Sequence, residues 1–335
     1  LEKAIKKVIF VKKTAVLTQY QSAFLGYMKE QLPKKTPASL YEPASYIMQL
    51  GGKRIRPILA LLAADAVGSS FKSALPAALA VEVFHNFTLM HDDIMDQAPK
   101  RRGNSTVHIK WDENAAILSG DAMYTMAQIA LAETEAKNLH RALKVFNQTA
   151  LEVCIGQQSD MAFEKRTDVT VEEYLEMIRL KTSVLVAASL AMGAISVGAS
   201  EERVQLWYKA GEQLGLAFQM QDDLLDAFGG DAMGKQVGGD ILSNKKTFLR
   251  LFTWQQASAE LLEDLKKWDA IQDQPEAKVD FVKNAMMECG ADLAARRSMK
   301  AYVEGAMSAI DSLQLSESHR EWFGFLGGLV TQRTS

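Results

Sequence analysis

The sequence predicts an all-α protein, a single-domain bundle of about 10–13 helices. Three observations lead there. From residue 40 to about 330 the apolar residues recur mostly at helical spacing; Ala, Leu, Met and Glu are plentiful; and no convincing alternating run of β-branched residues interrupts them. Only seven prolines occur in 335 residues, and several stand where a helix should begin or stop.

That punctuation orders the elements. A helix over about 15 to 31 precedes Pro37 and Pro43, which mark the approach to a core helix over 40 to 50. Gly51 and Gly52 break that helix, and Pro57 suits the first turn of the next, 55 to 68. Pro76 opens a long, mostly apolar helix over 74 to 96, and Pro99 and Gly103 end it. Periodicity then predicts helices over 113 to 134, 138 to 164, 171 to 196, 201 to 226 and 245 to 268, and Pro275 opens the last three, 276 to 288, 290 to 312 and 317 to 330. No Gly-, Ser- or Pro-rich stretch is long enough to be a linker and no fixed-period repeat is present, so 15–335 reads as one domain. Residues 1–14 stand apart. LEKAIKKVIFVKK carries five lysines and one glutamate around Ile5, Val8, Ile9 and Phe10, a pattern for a basic amphipathic surface helix, although a frayed or foreign terminus is the commoner explanation.

Composition narrows the function. The 48% apolar content fills a sizeable core, and a net charge of −3 gives no overall field for nucleic acid. Cys154 and Cys289 lie far apart without CxxC spacing, which argues against a disulfide framework and fits a reducing cytoplasm. No apolar run reaches the roughly 18 residues of a bilayer span, so stable membrane insertion is not expected.

Two stretches resemble each other, HDDIMDQ at 91 to 97 and QDDLLDA at 221 to 227, and each ends a long, mostly apolar helix. Positions i and i+4 share a helix face, so Asp92 points with Asp96 and Asp222 with Asp226. Two carboxylates so placed repel each other, and at a helix C-terminus the macrodipole disfavours them further. A divalent cation between them removes that cost. Without a His/Cys ligand set the clusters favour Mg²⁺, which uses one or two protein carboxylates together with phosphate oxygens. An EF-hand does not fit, because neither cluster has its alternating ligands, central Gly and terminal Glu. His91 sits beside the first cluster but is turned about 100° from Asp92, which makes it a supporting residue at most.

Basic residues flank these carboxylates. Lys100, Arg101 and Arg102 follow the first cluster; Lys53, Arg54 and Arg56 lie between the Gly-Gly break and a helix start; Lys235, Lys245 and Lys246 follow the second cluster among Gly234, Gly238 and Gly239. A helix start offers free N–H groups and a positive dipole end, and arginine a planar fork, for phosphate oxygens. Beside metal-type carboxylates, the joint arrangement points to a diphosphate.

The ordered motifs GGKRIRP, HDDIMD, RRG, KTS, FQMQDDLLD, GKQVGGD and NKKTF, from about residue 40 onward, resemble the trans-isoprenyl diphosphate synthases of the polyprenyl synthetase family. The resemblance implies the isoprenoid synthase fold with a central cavity, a homodimer, and head-to-tail joining of isopentenyl diphosphate to an allylic diphosphate. It implies Mg²⁺, with three ions expected per site and Mn²⁺ as a substitute, held by Asp92 and Asp96 and, from the opposite helix, by Asp222 and Asp226, with Asp93 and Asp223 supporting. Arg101, Lys181, Lys235 and Lys245 match allylic diphosphate contacts; Lys53, Arg56, His85 and Arg102 match the isopentenyl diphosphate site; and Lys181, Thr182 and Gln219 match residues facing the reaction. A growing hydrocarbon would run along the helix that bears the first cluster, past Phe87 and Phe84, roughly 7 and 12 Å before Asp92. Phe87 followed by the smaller Thr88 resembles short-chain C15 or C20 synthases, C20 above all. Two rivals are a class I terpene cyclase, which usually replaces the second Asp-rich motif, and a noncatalytic subunit of a heteromeric synthase, which typically loses one or both. This chain has both motifs and GGKRIRP.

Overall fold

Alanines on the inward faces let helices approach closely, and this determines how the chain packs. The structure, a computed structural model, describes residues 2–32, 36–229, 238–271 and 273–332. The helices are α1 (Glu2–Gln31), α2 (Ala38–Gln49), α3 (Ile55–Ala66), α4 (Leu75–Met95), α5 (Val107–Lys110), α6 (Glu113–Ala132), α7 (Ala136–Lys165), α8 (Val171–Ile178), α9 (Val184–Ser196), α10 (Glu201–Phe228), α11 (Gly239–Leu242), α12 (Phe248–Gln256), α13 (Ala259–Ala270), α14 (Pro275–Glu288), α15 (Ala291–Ser312) and α16 (Glu317–Gln332). The all-α expectation holds. The only sheet among the described residues is a two-residue ladder, β1 (Lys100–Arg101) and β2 (Asn104–Ser105), paired antiparallel.

The chain divides into two compact units, Leu1–Gln148 with Ala188–Tyr208, and Thr149–Ala187 with Lys209–Ser335. In the first, α3 buries the whole run from Pro57 to Ala64, and α4 packs against both α3 and α6. Contact is close enough that a Cβ on Gly193 of α9 would lie 2.0 Å from the Ala60 carbonyl oxygen. Trp207 is fully buried in the same unit. In the second, Tyr174, Met177, Met220, Leu224, Phe248, Leu249 and Met286 belong to one buried apolar cluster built from α8, α10, α12 and α14.

Several boundaries differ from the sequence reading for local reasons. The helix expected from 15 runs over Glu2–Gln31. The segment expected as one helix over 245 to 268 is two: Ala257 is extended, and the Ser258 side chain accepts from Leu261 N to cap a new start. The helix expected over 171 to 196 opens with a capping box formed by Thr170 and Glu173, then widens into a π turn at Arg179–Ser183. By length and composition Val171–Ser196 passes as a membrane span, contrary to the expectation that no stretch would, yet 78% of its apolar window is buried inside the protein. It is therefore a core segment.

Gly193→Ala forces a methyl group onto a backbone carbonyl that cannot rotate away. It should destabilise the fold by about 1–3 kcal/mol, read as a lower urea midpoint with the secondary structure retained.

Candidate active site

The two Asp-rich motifs lie in different units, and each is built by the same division of labour. In the first unit α4 ends in a Schellman arrangement: Ala98 N donates to Asp93 O (2.9 Å), Gln97 N donates to Ile94 O (3.1 Å), and Gln97 takes a left-handed φ of 49°. This ends α4 at Met95 with Asp96 as its cap residue, and leaves Asp96 exposed and Asp92 half-buried. Asp93, turned about 100° from Asp92, is buried at 2% exposure and is met by Arg101, whose Nε donates to both carboxylate oxygens (2.9 and 2.8 Å). Arg101 reaches it because the chain turns straight back through the β1–β2 hairpin. Arg102 and Gly103 both have positive φ, 51° and 78°, as a two-residue primed turn requires.

That hairpin also delivers Arg102 to the loop before α3. Arg102 Nη1 donates to Gly51 O, and a Cβ on Gly52 would fall 2.8 Å from the same nitrogen. Gly52 has a φ of 122°, a backbone conformation that demands glycine there. The sequence reading grouped Arg54 with the phosphate-facing bases; the structure corrects this. Arg54 is left-handed (φ 51°) and buried, its Nη1 donates to Glu82 Oε1 (2.5 Å) and its Nη2 to Met48 O. A buried charge needs such a partner.

Arg56 and His85 come together next to it. Arg56 Nη1 donates to His85 Nε2 at 3.2 Å, which puts the imidazole proton on Nδ1. Burial, then Arg56, Arg102, Arg101 and Arg54, hold the His85 pKa well below the ordinary imidazole value, so the ring is neutral. Arg56 Nε is buried without a hydrogen-bond partner in the structure, an orphaned donor suited to an anion. Lys53 is exposed in the same loop. Lys53, Arg56, His85 and Arg102, four residues expected to serve one diphosphate, thus cluster in one unit.

The second unit repeats the scheme on α10. Asp223 is buried and accepts from Tyr174 Oη (2.7 Å), Gln219 Nε2 (3.1 Å) and Phe248 N (3.3 Å). Burial pushes its carboxyl up to about 7 against the lowering pull of Tyr174, Gln219 and the Phe248 N–H. Asp222 is exposed and Asp226 half-buried; Asp226 Oδ2 accepts from Asp240 N (2.9 Å). Gln219, expected to face reacting carbons, gives its amide nitrogen to Asp223. Lys181 Nζ pairs with Asp160 Oδ2 (2.5 Å), and Thr182 lies half-buried in the same π turn. Gly156 and Gly215 admit that turn, since a Cβ on either would strike Lys181 N (2.3 Å) or Ser183 Cα (2.6 Å). Lys245 is exposed, and Lys235 lies outside the described residues.

Residues that sequence reasoning missed are the partners: Glu82, Tyr174 and Asp160. A glutamate inside ALAVEVF was itself a signal, since a charge in an apolar helix must be paired. The other two pairings depend on helices that only the fold brings together.

The expected floor residues lie in an aromatic cluster of the first unit. Phe84 is buried, with ring centroids 5.5 Å from Phe87, 6.0 Å from Tyr124 and 5.3 Å from Phe146. Phe87 is half-buried, 5.7 Å from Tyr124. Thr88 turns its hydroxyl back to His85 O (2.8 Å), which leaves no donor to project outward.

Among the described residues no three His, Cys, Asp or Glu side chains form a closed metal cage. Carboxylate pairs on a helix end instead fit a hard cation that keeps waters and takes further oxygens from a ligand.

Residues 37–288 match the polyprenyl synthetase family. The chain is 40% identical to a geranylgeranyl diphosphate synthase from Methanosarcina mazei over 85% of this chain and 87% of the relative. A crystal structure of a geranylgeranyl pyrophosphate synthase superposes with TM-score 0.90 at 44% identity, covering 95% of this chain and 99% of that one. A polyprenyl synthase from Caulobacter crescentus, solved with calcium and isoprenyl diphosphate, gives TM-score 0.83 at 26% identity over 98% and 97%.

Asp223 yields a pH signature. Its folded pKa of about 7 exceeds the ordinary 3.8, so between about pH 4 and 7 the folded chain holds a proton that the unfolded chain has lost. Its contribution to stability therefore falls as pH rises through that window. In chelator, the parent should lose stability relative to Asp223→Asn from about pH 4 to 7 and run parallel to it above, read from urea midpoints.

Proposed function

The chain belongs to the polyprenyl synthetase family, as a short-chain trans-prenyltransferase similar to geranylgeranyl diphosphate synthases, and we propose that its main product is the C20 all-trans diphosphate. It joins isopentenyl diphosphate head-to-tail to allylic diphosphates in a metal-dependent reaction. The observation that carries the residue assignments is the split within each Asp-rich motif, in which the middle carboxylate is buried and bonded while the flanking pair lies nearer to solvent.

On this reading Asp92 and Asp96, with Asp222 and Asp226, hold Mg²⁺ or Mn²⁺, three ions per site. Such ions supply charge neutralisation of the departing diphosphate. Arg101, braced by Asp93, and Lys181, braced by Asp160, bind the allylic diphosphate together with Lys245 and Lys235. Lys53, Arg56 and Arg102 bind isopentenyl diphosphate, and the neutral His85 holds Arg56 without adding positive charge. The allylic C–O bond breaks with its electron pair going to diphosphate, the double bond of isopentenyl diphosphate attacks the allylic cation, and a proton leaves to the released diphosphate. Thr182 and Gln219 offer oxygen dipoles to that cation. Preorganised groups of this kind carry most of the catalysis in such chemistry.

The C20 assignment draws support from Phe87 against Phe84 and Tyr124, a wall of rings roughly 7 Å before Asp92 along α4. We assign a homodimer, supported by Leu118 and Ile129, each 60% exposed on α6, and a cytoplasmic site, consistent with two free cysteines.

Purified protein given Mg²⁺, isopentenyl diphosphate and each of the C5, C10 and C15 allylic diphosphates should elongate them to C20. A cyclised hydrocarbon would instead indicate a cyclase, and inactivity a noncatalytic subunit. Asp92→Ala and Asp222→Ala should each lower turnover by at least about 10²–10³-fold; near-parent turnover in either sinks the metal assignment. Phe87→Ala should lengthen the product, and an unchanged C20 peak would remove Phe87 from the floor.

A further inference from the structure

We propose that His91 is a positioning residue for product length: its imidazole, held in a slot on α6, fixes the ring of Phe87 and so sets where chain growth stops. The inference rests on Phe87 being the floor. At 100° per residue His91 falls about 40° from Phe87 and about 100° from Asp92 around α4. It therefore stands between the apolar wall and the metal-facing carboxylates, and belongs to neither by type.

Three contacts fix it. Its ring meets Phe87 edge-on at 4.7 Å between centroids, nearer than Phe84 at 5.5 Å or Tyr124 at 5.7 Å. Its Nε2 lies 3.2 Å from Ile117 O, and a carbonyl only accepts, so the proton sits on Nε2. Gly120 provides the slot. A Cβ there would lie 2.2 Å from His91 Nε2 and 2.5 Å from Cδ2, so the imidazole occupies the volume any side chain at 120 would need.

Glycine within a helix is disfavoured relative to alanine, and Gly120 lies inside α6 with ordinary helical φ. Its use is therefore spatial: it seats the imidazole. A ring fixed at both ends in turn restricts Phe87 to the rotamer that keeps it against Tyr124. Without that support Phe87 can swing aside and the hydrocarbon can pass. The edge-on geometry is the favoured one for a ring pair.

The test compares product distributions, by chromatography and mass spectrometry, from Mg²⁺, isopentenyl diphosphate and C15 allylic diphosphate with the parent, Phe87→Ala, His91→Ala, His91→Phe and Gly120→Ala. His91→Ala, and Gly120→Ala by expelling the imidazole, should each raise the fraction of products longer than the parent's by about tenfold, the low end of what one pocket contact discriminates. His91→Phe, which keeps a ring against Phe87, should retain the parent distribution. If Phe87→Ala lengthens products while His91→Ala and Gly120→Ala do not, His91 has no such role and the Phe87 reading stands. If Phe87→Ala also leaves the distribution unchanged, the floor reading fails and takes this inference with it. Reduced turnover with an unchanged distribution overturns the proposal too, since that is what a merely structural role would produce.

Discussion

A carboxylate buried at the end of an apolar helix has to be bonded, and the rest of this site follows from how Asp93 and Asp223 are. Arg101 meets the first through Nε, while Tyr174, Gln219 and the Phe248 N–H meet the second. Each bond set pins a helix end from its buried side. The flanking carboxylates are then held nearer to solvent at the i, i+4 spacing, where a cation between them would offset their mutual repulsion.

The same pinning organises the positive half of the first unit. Because Asp93 draws Arg101 inward, the next residue, Arg102, comes at the tip of a two-residue turn and reaches the Gly51–Gly52 loop. That loop is anchored from below by Arg54, whose left-handed backbone is sustained by Glu82 and the Met48 carbonyl. Breaking a buried pair of this kind by removing one partner costs about 3–5 kcal/mol. Arg54 and Glu82 neutralise each other. Lys53, Arg56 and Arg102 supply the remaining positive charge of this loop and its neighbours, while burial first, and then the field of Arg56, Arg102, Arg101 and Arg54, keeps His85 neutral.

Much of this was legible in the sequence because it is local. The spacing of Asp92 and Asp96 puts them on one face whatever else happens, and Pro99 with Gly103 marks where α4 must end. Most helix boundaries followed the apolar period to within a few residues. What was not legible depends on tertiary neighbours or on small backbone choices. The break at Ala257 and Ser258 leaves the apolar period intact, and the π turn at Arg179–Ser183 is invisible to it. That Arg54 turns to Glu82 and the Met48 carbonyl while Arg56 turns to His85 goes with a left-handed residue two positions after Gly52, which no composition rule supplies. Asp160 and Tyr174 find Lys181 and Asp223 only after α7, α8 and α10 have packed within their unit.

The central claim is that each Asp-rich motif divides into a buried brace and an outward pair of metal ligands. The most direct measurement is a crystal structure with Mn²⁺ and an unreactive allylic diphosphate analogue, with the ions located by anomalous scattering. The account predicts Mn²⁺ on Asp92, Asp96, Asp222 and Asp226, with Asp93 still bonded to Arg101 and Asp223 to Tyr174. An ion coordinated by Asp93 or Asp223, with Arg101 or Tyr174 displaced, would contradict it.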